Sequence, residues 1–466
     1  MNAPLIWIGI PLILSVLLWL PRRANITALL GGSSALIFAM LAWFLPIDIA
    51  IRVNAIFSFK IVSSIEILGR QISITPADQP LVALLYSLTA IWFFGSSAAY
   101  IARRLVPIGM AMLALLIASL AVQPFLYAAL IIQTAILIAV PLLSPPEVKP
   151  KRGVIRFLIY QTIAMPFILF SGWLLAGVES SPGDIELLTQ AAVLLALGFA
   201  FLLAIFPLYT WIPLLMEEAS PYAVGFILWL LPNITFLFAL GFLDRYAWLR
   251  EYPQLPNALR SAGLLMVLTG GIWSAFQRHL GRMMGYAAIV NTGFSLLSLS
   301  LLADHQLSTF FLLQIPQALG LIIWSLALSI LKIHERSLEF KKVQGMLQRY
   351  PIILSGLLLA HLSAMGLPLL AGFPPIIALW EGLARQNLLA AFWVGLAVAS
   401  LLTGALRTLA VLVMSPKDEG WTLNGSWVQN TLISIGIFFI LLLGLFPQIL
   451  YPLLANLPLT FEHLSG

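Results

Sequence analysis

Apolar residues fall along this chain in runs of roughly 17–25, the length that crosses a bilayer as a helix. Reading them in order gives about fourteen spans. They lie at residues 4–20, 26–45, 79–101, 105–122, 124–143, 155–177, 188–215, 221–243, 258–276, 283–302, 307–331, 351–377, 388–414 and 428–452. The pattern predicts an all-α polytopic membrane protein, with residues 1–466 forming a single membrane domain. The longest interval outside the runs, 46–78, alternates apolar and polar positions in IRVNAIFSFKIVSS and predicts an external β-hairpin. Residues 143–154, LSPPEVKPKRGV, read as a proline-rich basic linker. Residues 332–350, KIHERSLEFKKVQGMLQRY, read as a charged segment with helical character. Both also fit plain solvated connectors.

Two of the runs carry helix breakers. GFAFLLAIFPLYTWIPLLMEEASP at 198–221 holds Pro207 and Pro213, and GLPLLAGFPP at 366–375 holds Pro368, Pro374 and Pro375 with Gly366 and Gly372. Proline removes a backbone donor and clashes with the preceding turn, so each run is expected to be discontinuous. Broken helices persist in a bilayer only where protein or a wet cavity surrounds them, often beside an ion or substrate site. The two are the seventh and twelfth spans. Spans four to eight (103–243) and nine to thirteen (256–414) therefore read as two five-helix units, each broken in its fourth helix. Five is odd, so the second unit enters the membrane from the opposite side and the units are inverted. The competing explanation is that proline and glycine are simply frequent in membrane helices.

Composition narrows the class. With 61% hydrophobic residues, 9% charged and a mean hydropathy of +1.01, a soluble domain is excluded. An external N-terminus places 17 of the 24 Lys and Arg residues in inner loops, so both termini are expected outside. The pI of 9.6 then reports topology and anionic headgroups, with nothing pointing to nucleic acid. Residues 4–20 lack a basic leader and a small-residue cleavage site, so the first span is expected to stay in the membrane. Zero cysteines exclude iron–sulfur ligation, disulfides and thiol catalysis. The five histidines form no HxxxH pair, so no metal, cofactor or catalytic site is expected.

Three segments together resemble one family. PLYTWIP at 207–213, followed by Glu218 and Ala219, is similar to the PLHTWLPDAHAEAP segment of the antiporter-like membrane subunits of respiratory complex I. GGIWSAFQRHLGRMMGYAAIVNTGFSLLSL at 270–299 resembles that family's helix, basic turn and AYSSISHMGF run. GLPLLAGF at 366–373 resembles its GLPPLAGF helix break. Order and spacing agree over nearly the whole chain. Relatives occur in Mrp-type sodium/proton antiporters and membrane-bound hydrogenases. The length implies a shorter subtype without the lateral helix. The resemblance implies a prokaryotic cytoplasmic membrane, other membrane subunits as partners, and a non-redox place within an NADH:quinone oxidoreductase-type translocase. It also implies proton transfer along buried lysines, histidines and a glutamate.

The chain departs from that relay. The fifth-span glutamate position is Gln133, the seventh-span lysine position Leu202, the PLHTW histidine Tyr209 and the eighth-span lysine position Asn233. The SISHMGF histidine is Asn291, the eleventh-span position maps near Gly320, and the twelfth-span charged position is Ile376. Amides orient water but do not change charge, and Leu202 and Ile376 remove polarity altogether. His361 and Glu381 are the remaining candidate proton carriers; the plainer reading has His361 packing helices and Glu381 solvated. Glu218 and Arg282 match family positions, and Glu217 or Glu218 is expected to pair with Arg278 or Arg282. Three readings follow: a structural or coupling subunit whose relay is replaced, an active proton or sodium carrier on a rewired polar route, and an unrelated secondary transporter.

Overall fold

The computed structural model describes residues 2–52, 58–67, 69–124, 126–144, 151–180, 185–302, 307–414 and 421–464. A π-helical turn Leu5–Gly9 leads into α1 (Ile10–Leu17), followed by α2 (Ala24–Phe44), α3 (Gln79–Gly95), α4 (Ala102–Ala121) and α5 (Leu126–Leu143). Next come α6 (Arg152–Ser180), α7 (Ile185–Leu202), the short α8 (Trp211–Glu218), α9 (Pro221–Arg245) and the single turn α10 (Ala247–Arg250). The second half holds α11 (Leu255–Phe276), α12 (Leu280–Leu299), α13 (Leu307–Glu335), the turn α14 (Phe340–Val343), α15 (Pro351–Ala364) and α16 (Phe373–Gln386). It closes with α17 (Leu388–Val413), α18 (Trp427–Leu445) and α19 (Tyr451–Leu454). Among the described residues, 10 helices are long and apolar enough to cross a membrane, and Leu5–Leu17, Glu186–Leu202 and Pro351–Ala364 are shorter apolar helices. Helices dominate because a lipid-exposed backbone must bond to itself.

Proline positions several helix starts. Pro221 and Pro351 each stand at the first position of their helix, where the missing N–H has no intrahelical partner and φ is already helical. Other prolines, Pro107, Pro141, Pro166, Pro232 and Pro316, lie inside α4, α5, α6, α9 and α13. There each leaves one carbonyl of the preceding turn without its helical donor.

α9 and α13 form the centre, with 83% of their apolar windows buried, against 22% for the peripheral α18. α13 packs on α9, α15 and α18; α11 packs on α12 and α17; α6 packs on α7; and α8 is wedged between α6 and α12. Trp92 of α3 meets Tyr222, Phe226 and Trp229 of α9, and the Tyr222 hydroxyl donates to the Trp92 carbonyl (3.0 Å). This burial fixes α3 against the central helix through large aromatic contacts.

The segment 46–78 differs from the single hairpin expected there. β1 (Ala50–Arg52) pairs antiparallel with β2 (Ser58–Lys60), and β3 (Ser64–Ile67) with β4 (Arg70–Ser73). β5 (Val122–Gln123), between α4 and α5, extends the second pair to three strands. A period-two pattern reports strands but not how many turns divide them. In the linker 143–154, residues 145–150 lie outside the described residues, as does Lys417, one of the cations expected in the inner loops. The charged 332–350 segment ends α13 at Glu335 and then forms α14 and a 3-10 turn at Met346–Gln348.

Candidate functional site

Both interrupted runs stop by the same backbone device. α7 ends with Ala204 in the left-handed region (φ 51°); the Ala204 N–H donates to the Phe201 carbonyl (3.2 Å) and the Ile205 N–H to the Ala200 carbonyl (2.8 Å). α15 ends with Gly366 at φ 76°; the Gly366 N–H donates to the Ser363 carbonyl (3.0 Å) and the Leu367 N–H to the Leu362 carbonyl (3.2 Å). These paired bonds are the Schellman arrangement, which satisfies carbonyls that a helix end would otherwise orphan. In each case a further bond closes the loop, Leu208 N–H to Ile205 O (2.7 Å) and Leu370 N–H to Leu367 O (3.2 Å). The next helix then begins at Trp211 and at Phe373. Pro213, Pro374 and Pro375 fall in the first turns of α8 and α16 and start those helices. The interruption of the first run therefore lies at 203–207, up to and including Pro207.

The carbonyl of Leu202 accepts from the side-chain amide of Gln161 on α6 (3.2 Å), so the open end of α7 is bonded within the protein. Leu202 itself is buried and lines a cavity of about 10 Å³ with Gln161, Pro232 and Thr292. A neighbouring cavity, also about 10 Å³, is lined by Pro232, Asn233, Asn291, Thr292, Ser295 and Gln317. A third of about 20 Å³ lies among Asn291, Gln317, Gly320, Trp324 and Ile376. Shared lining residues join the three into a row across α9, α12 and α13 towards α16. Each has room for about one water. None of their lining residues is ionisable. The Asn291 carbonyl accepts from both Gln317 Nε2 (3.2 Å) and Ser295 Oγ (3.2 Å), which ties α12 to α13.

The row thus gathers Leu202, Asn233, Asn291, Gly320 and Ile376, and adds Thr292, Ser295 and Trp324, which sequence reading had passed over. Other candidates lie elsewhere. Gln133, half-buried on α5, donates to Thr162 Oγ1 (2.9 Å) on α6. Tyr209 is buried in the turn before α8, against Phe206 and Tyr286. Glu381 is exposed on α16. His361 is fully buried and stacks on Trp324 with ring centroids 4.3 Å apart. Neither of its ring nitrogens has a hydrogen-bond partner among the described residues.

The polar cluster sits where α8 and α13 end and α12 begins. Arg282 pairs with Glu217, Nη2 to Oε2 at 2.5 Å with a second bond from Nε at 2.7 Å. Glu218 accepts from the Gly153 N–H (2.7 Å) instead. Lys332 Nζ donates to the carbonyls of Glu217 (3.2 Å) and Ala219 (2.8 Å) at the end of α8. His279, between α11 and α12, accepts the Arg282 backbone N–H on Nδ1 (3.3 Å), a cap available only to the neutral ring. Burial first, and then Arg282 and Lys332, hold its pKa below the ordinary 6.5, while Glu217 and Glu339 pull the other way. The folded chain thus binds that proton less readily than the unfolded one. The stability contribution is present above pH 6.5 and lost as pH falls toward the folded value. Melting temperature should fall more steeply from about pH 7.5 to about pH 5.5 in wild type than in His279→Asn, whose side chain caps at any pH. Parallel profiles would remove His279 as the responsible group.

The sequence profile of the NADH:quinone oxidoreductase/Mrp antiporter transmembrane family matches residues 155–406, more than half of the chain. The chain belongs to this family. It is 26% identical over 312 residues to NADH-quinone oxidoreductase subunit 14 of Thermus thermophilus, covering 65% of this chain and 68% of that subunit. It is 25% identical over 310 residues to NADH-quinone oxidoreductase subunit N of Dehalococcoides mccartyi, covering 61% of each. The alignments thus span about two thirds or less of those relatives. Three solved structures share the fold over nearly all of the chain. A chain of respiratory complex I from Thermus thermophilus superposes with a TM-score of 0.79 at 19% identity, covering 99% of this chain and 100% of that one. A chain of the archaeal membrane-bound sulfane sulfur reductase gives 0.80 at 16%, covering 99% and 98%. A chain of the Mrp complex from Dietzia sp. gives 0.79 at 13%, covering 100% and 99%. At these identities the likeness speaks for the fold alone. The family member is an integral membrane protein.

Proposed function

We propose that this chain is an antiporter-like membrane subunit of a complex-I-related assembly, retaining the translocation scaffold without its charge relay. One observation carries the reading. The positions where the family resemblance leads one to expect charge hold Leu202, Asn233, Asn291, Gly320 and Ile376, and these line a row of small cavities with no ionisable wall. A proton wire needs groups that take up and release protons, whereas amides only orient water. The role is then structural, or that of a coupling spacer between homologous membrane subunits. Its partners would be those subunits, in a redox or an antiporter complex.

The matched helix ends at Ala204 and Gly366 support reading α7–α8 and α15–α16 as single discontinuous spans. Counted so, the protein has fourteen spans, with α4–α9 (103–243) and α11–α17 (256–414) as inverted five-span repeats. Both termini would lie outside the cytoplasmic membrane.

A second reading is favoured by one feature. The cavities share walls, so Asn233, Asn291 and Gln317 together with nearby His361 offer a rewired route. The test is proton pumping per electron, or per exchanged ion, by the reconstituted complex carrying Asn291→Leu, Gln317→Leu and His361→Ala. Pumping at the wild-type ratio, with loss of assembly when the chain is omitted, is expected. A fallen ratio in a fully assembled complex would overturn the structural reading in favour of the rewired route.

A further inference from the structure

A much larger cavity lies outside the amide row, at the end of the bundle where α4 starts and α13 stops. It encloses about 410 Å³, within the range of small-molecule sites. Three cations face it: Arg104 from the first turn of α4, Lys151 just before α6, and Lys332 from the last turn of α13. Among the described residues a single carboxylate, Glu218, joins them, and it already accepts the Gly153 N–H. The cavity therefore carries a surplus of positive charge. Lys151 and Lys332 lie close enough to repel each other, and Arg104 has no side-chain hydrogen bond or ion pair among the described residues. Lys332 is held in place by its two bonds to the α8 carbonyls, so the surplus is fixed by the fold.

Most of the remaining wall is apolar, from Ile101, Leu142, Leu143, Val154 and Ile333, with Ser144, Ser220 and Ser329 beside them. Ile333 and Tyr100 are 44% and 65% exposed, which leaves the apolar side open to the surroundings. A free inorganic anion would gain from the cations and lose against that wall. A molecule with a phosphate above an apolar body matches both halves. We propose that this cavity binds an anionic phospholipid, its phosphate on Arg104, Lys151 and Lys332 and its upper acyl chains against Ile101, Leu143 and Ile333. Basic pockets between membrane helices are general recognition sites for such headgroups. The bound phosphate would also relieve the Lys151–Lys332 repulsion and join α4, α6 and α13. The inference does not depend on whether the amide row conducts.

The test uses the full-length protein in detergent, titrated separately with phosphatidylglycerol, phosphatidylcholine and inorganic phosphate, with binding read by native mass spectrometry and by melting temperature. Phosphatidylglycerol is expected to bind and raise the melting temperature, while phosphatidylcholine and phosphate leave it unmoved. Arg104→Gln combined with Lys151→Gln should weaken phosphatidylglycerol binding by about tenfold or more. Equal binding of phosphatidylcholine, an equal shift with inorganic phosphate, or undiminished binding by the double variant overturns the proposal. Should the double variant not fold, the three wild-type titrations decide alone.

Discussion

Gly372→Ala should abolish a stable fold or lower the melting temperature by many degrees. Gly372 precedes α16, and its N–H donates to Ser363 Oγ (3.1 Å) across the loop that interrupts the run. A Cβ there would come well inside 3.0 Å of the Ser363 carbonyl oxygen, a separation that real Cβ atoms do not reach. The obstructing atom is backbone, at the end of α15 where Gly366 sets the turn. Relief therefore requires α15 and α16 to separate, and overpacking of this kind costs about 3 kcal/mol or more. Gly395→Ala supplies the contrast: nothing lies within 4 Å of its added methyl on α17. That variant is expected to be neutral or to gain up to about 1 kcal/mol of helix propensity. Thermal melts and size-exclusion profiles of the two variants decide it; a Gly372→Ala protein that melts like wild type would show that the interruption is loosely packed.

The same interruption shows what sequence could and could not reveal. Hydropathy located the helices, because bilayer length and backbone satisfaction leave few alternatives. Proline marked both discontinuous runs but did not show which residue makes each stop. Proline is most comfortable in the first turn of a helix, and there Pro213, Pro374 and Pro375 start α8 and α16. The stop is made instead by Ala204 in a left-handed conformation that nothing about alanine announces, whereas Gly366 in the equivalent place is legible. Ion pairing was undecided for a related reason. Glu217 and Glu218 stand about 100° apart around a helix, and α8 is too short for periodicity to tell which faces Arg282. His361 was noticed for its chemistry, yet its environment, a Trp324 ring and no hydrogen-bond partner among the described residues, is made by α13 and α15 meeting from distant parts of the chain. The row of cavities was visible only as separate polar substitutions. Their convergence depends on how α9, α12 and α13 cross, which no local pattern encodes.

Leu202→Lys is the second large effect, and it addresses the function directly. The substitution restores the residue type that the family resemblance leads one to expect at this position. Its head would enter a cavity of about 10 Å³ whose polar walls are Gln161 and Thr292, with no carboxylate among the lining residues. Placing an ammonium in the membrane core costs about 2.5–3.5 kcal/mol even with partial relief by water. Two amide or hydroxyl oxygens do not replace its hydration. Leu202→Met, similar in volume and uncharged, is expected to cost less than about 1.5 kcal/mol. A lower melting temperature and reduced assembly for the lysine variant, with the methionine variant near wild type, would show a scaffold no longer able to hold the charge. Equal stability of the two variants would mean that water and counter-charge still reach this point, and the rewired carrier would then be the better reading. The comparison separates the cost of charge from the cost of shape at one atom cluster, where α7 ends and Gln161 holds the Leu202 carbonyl.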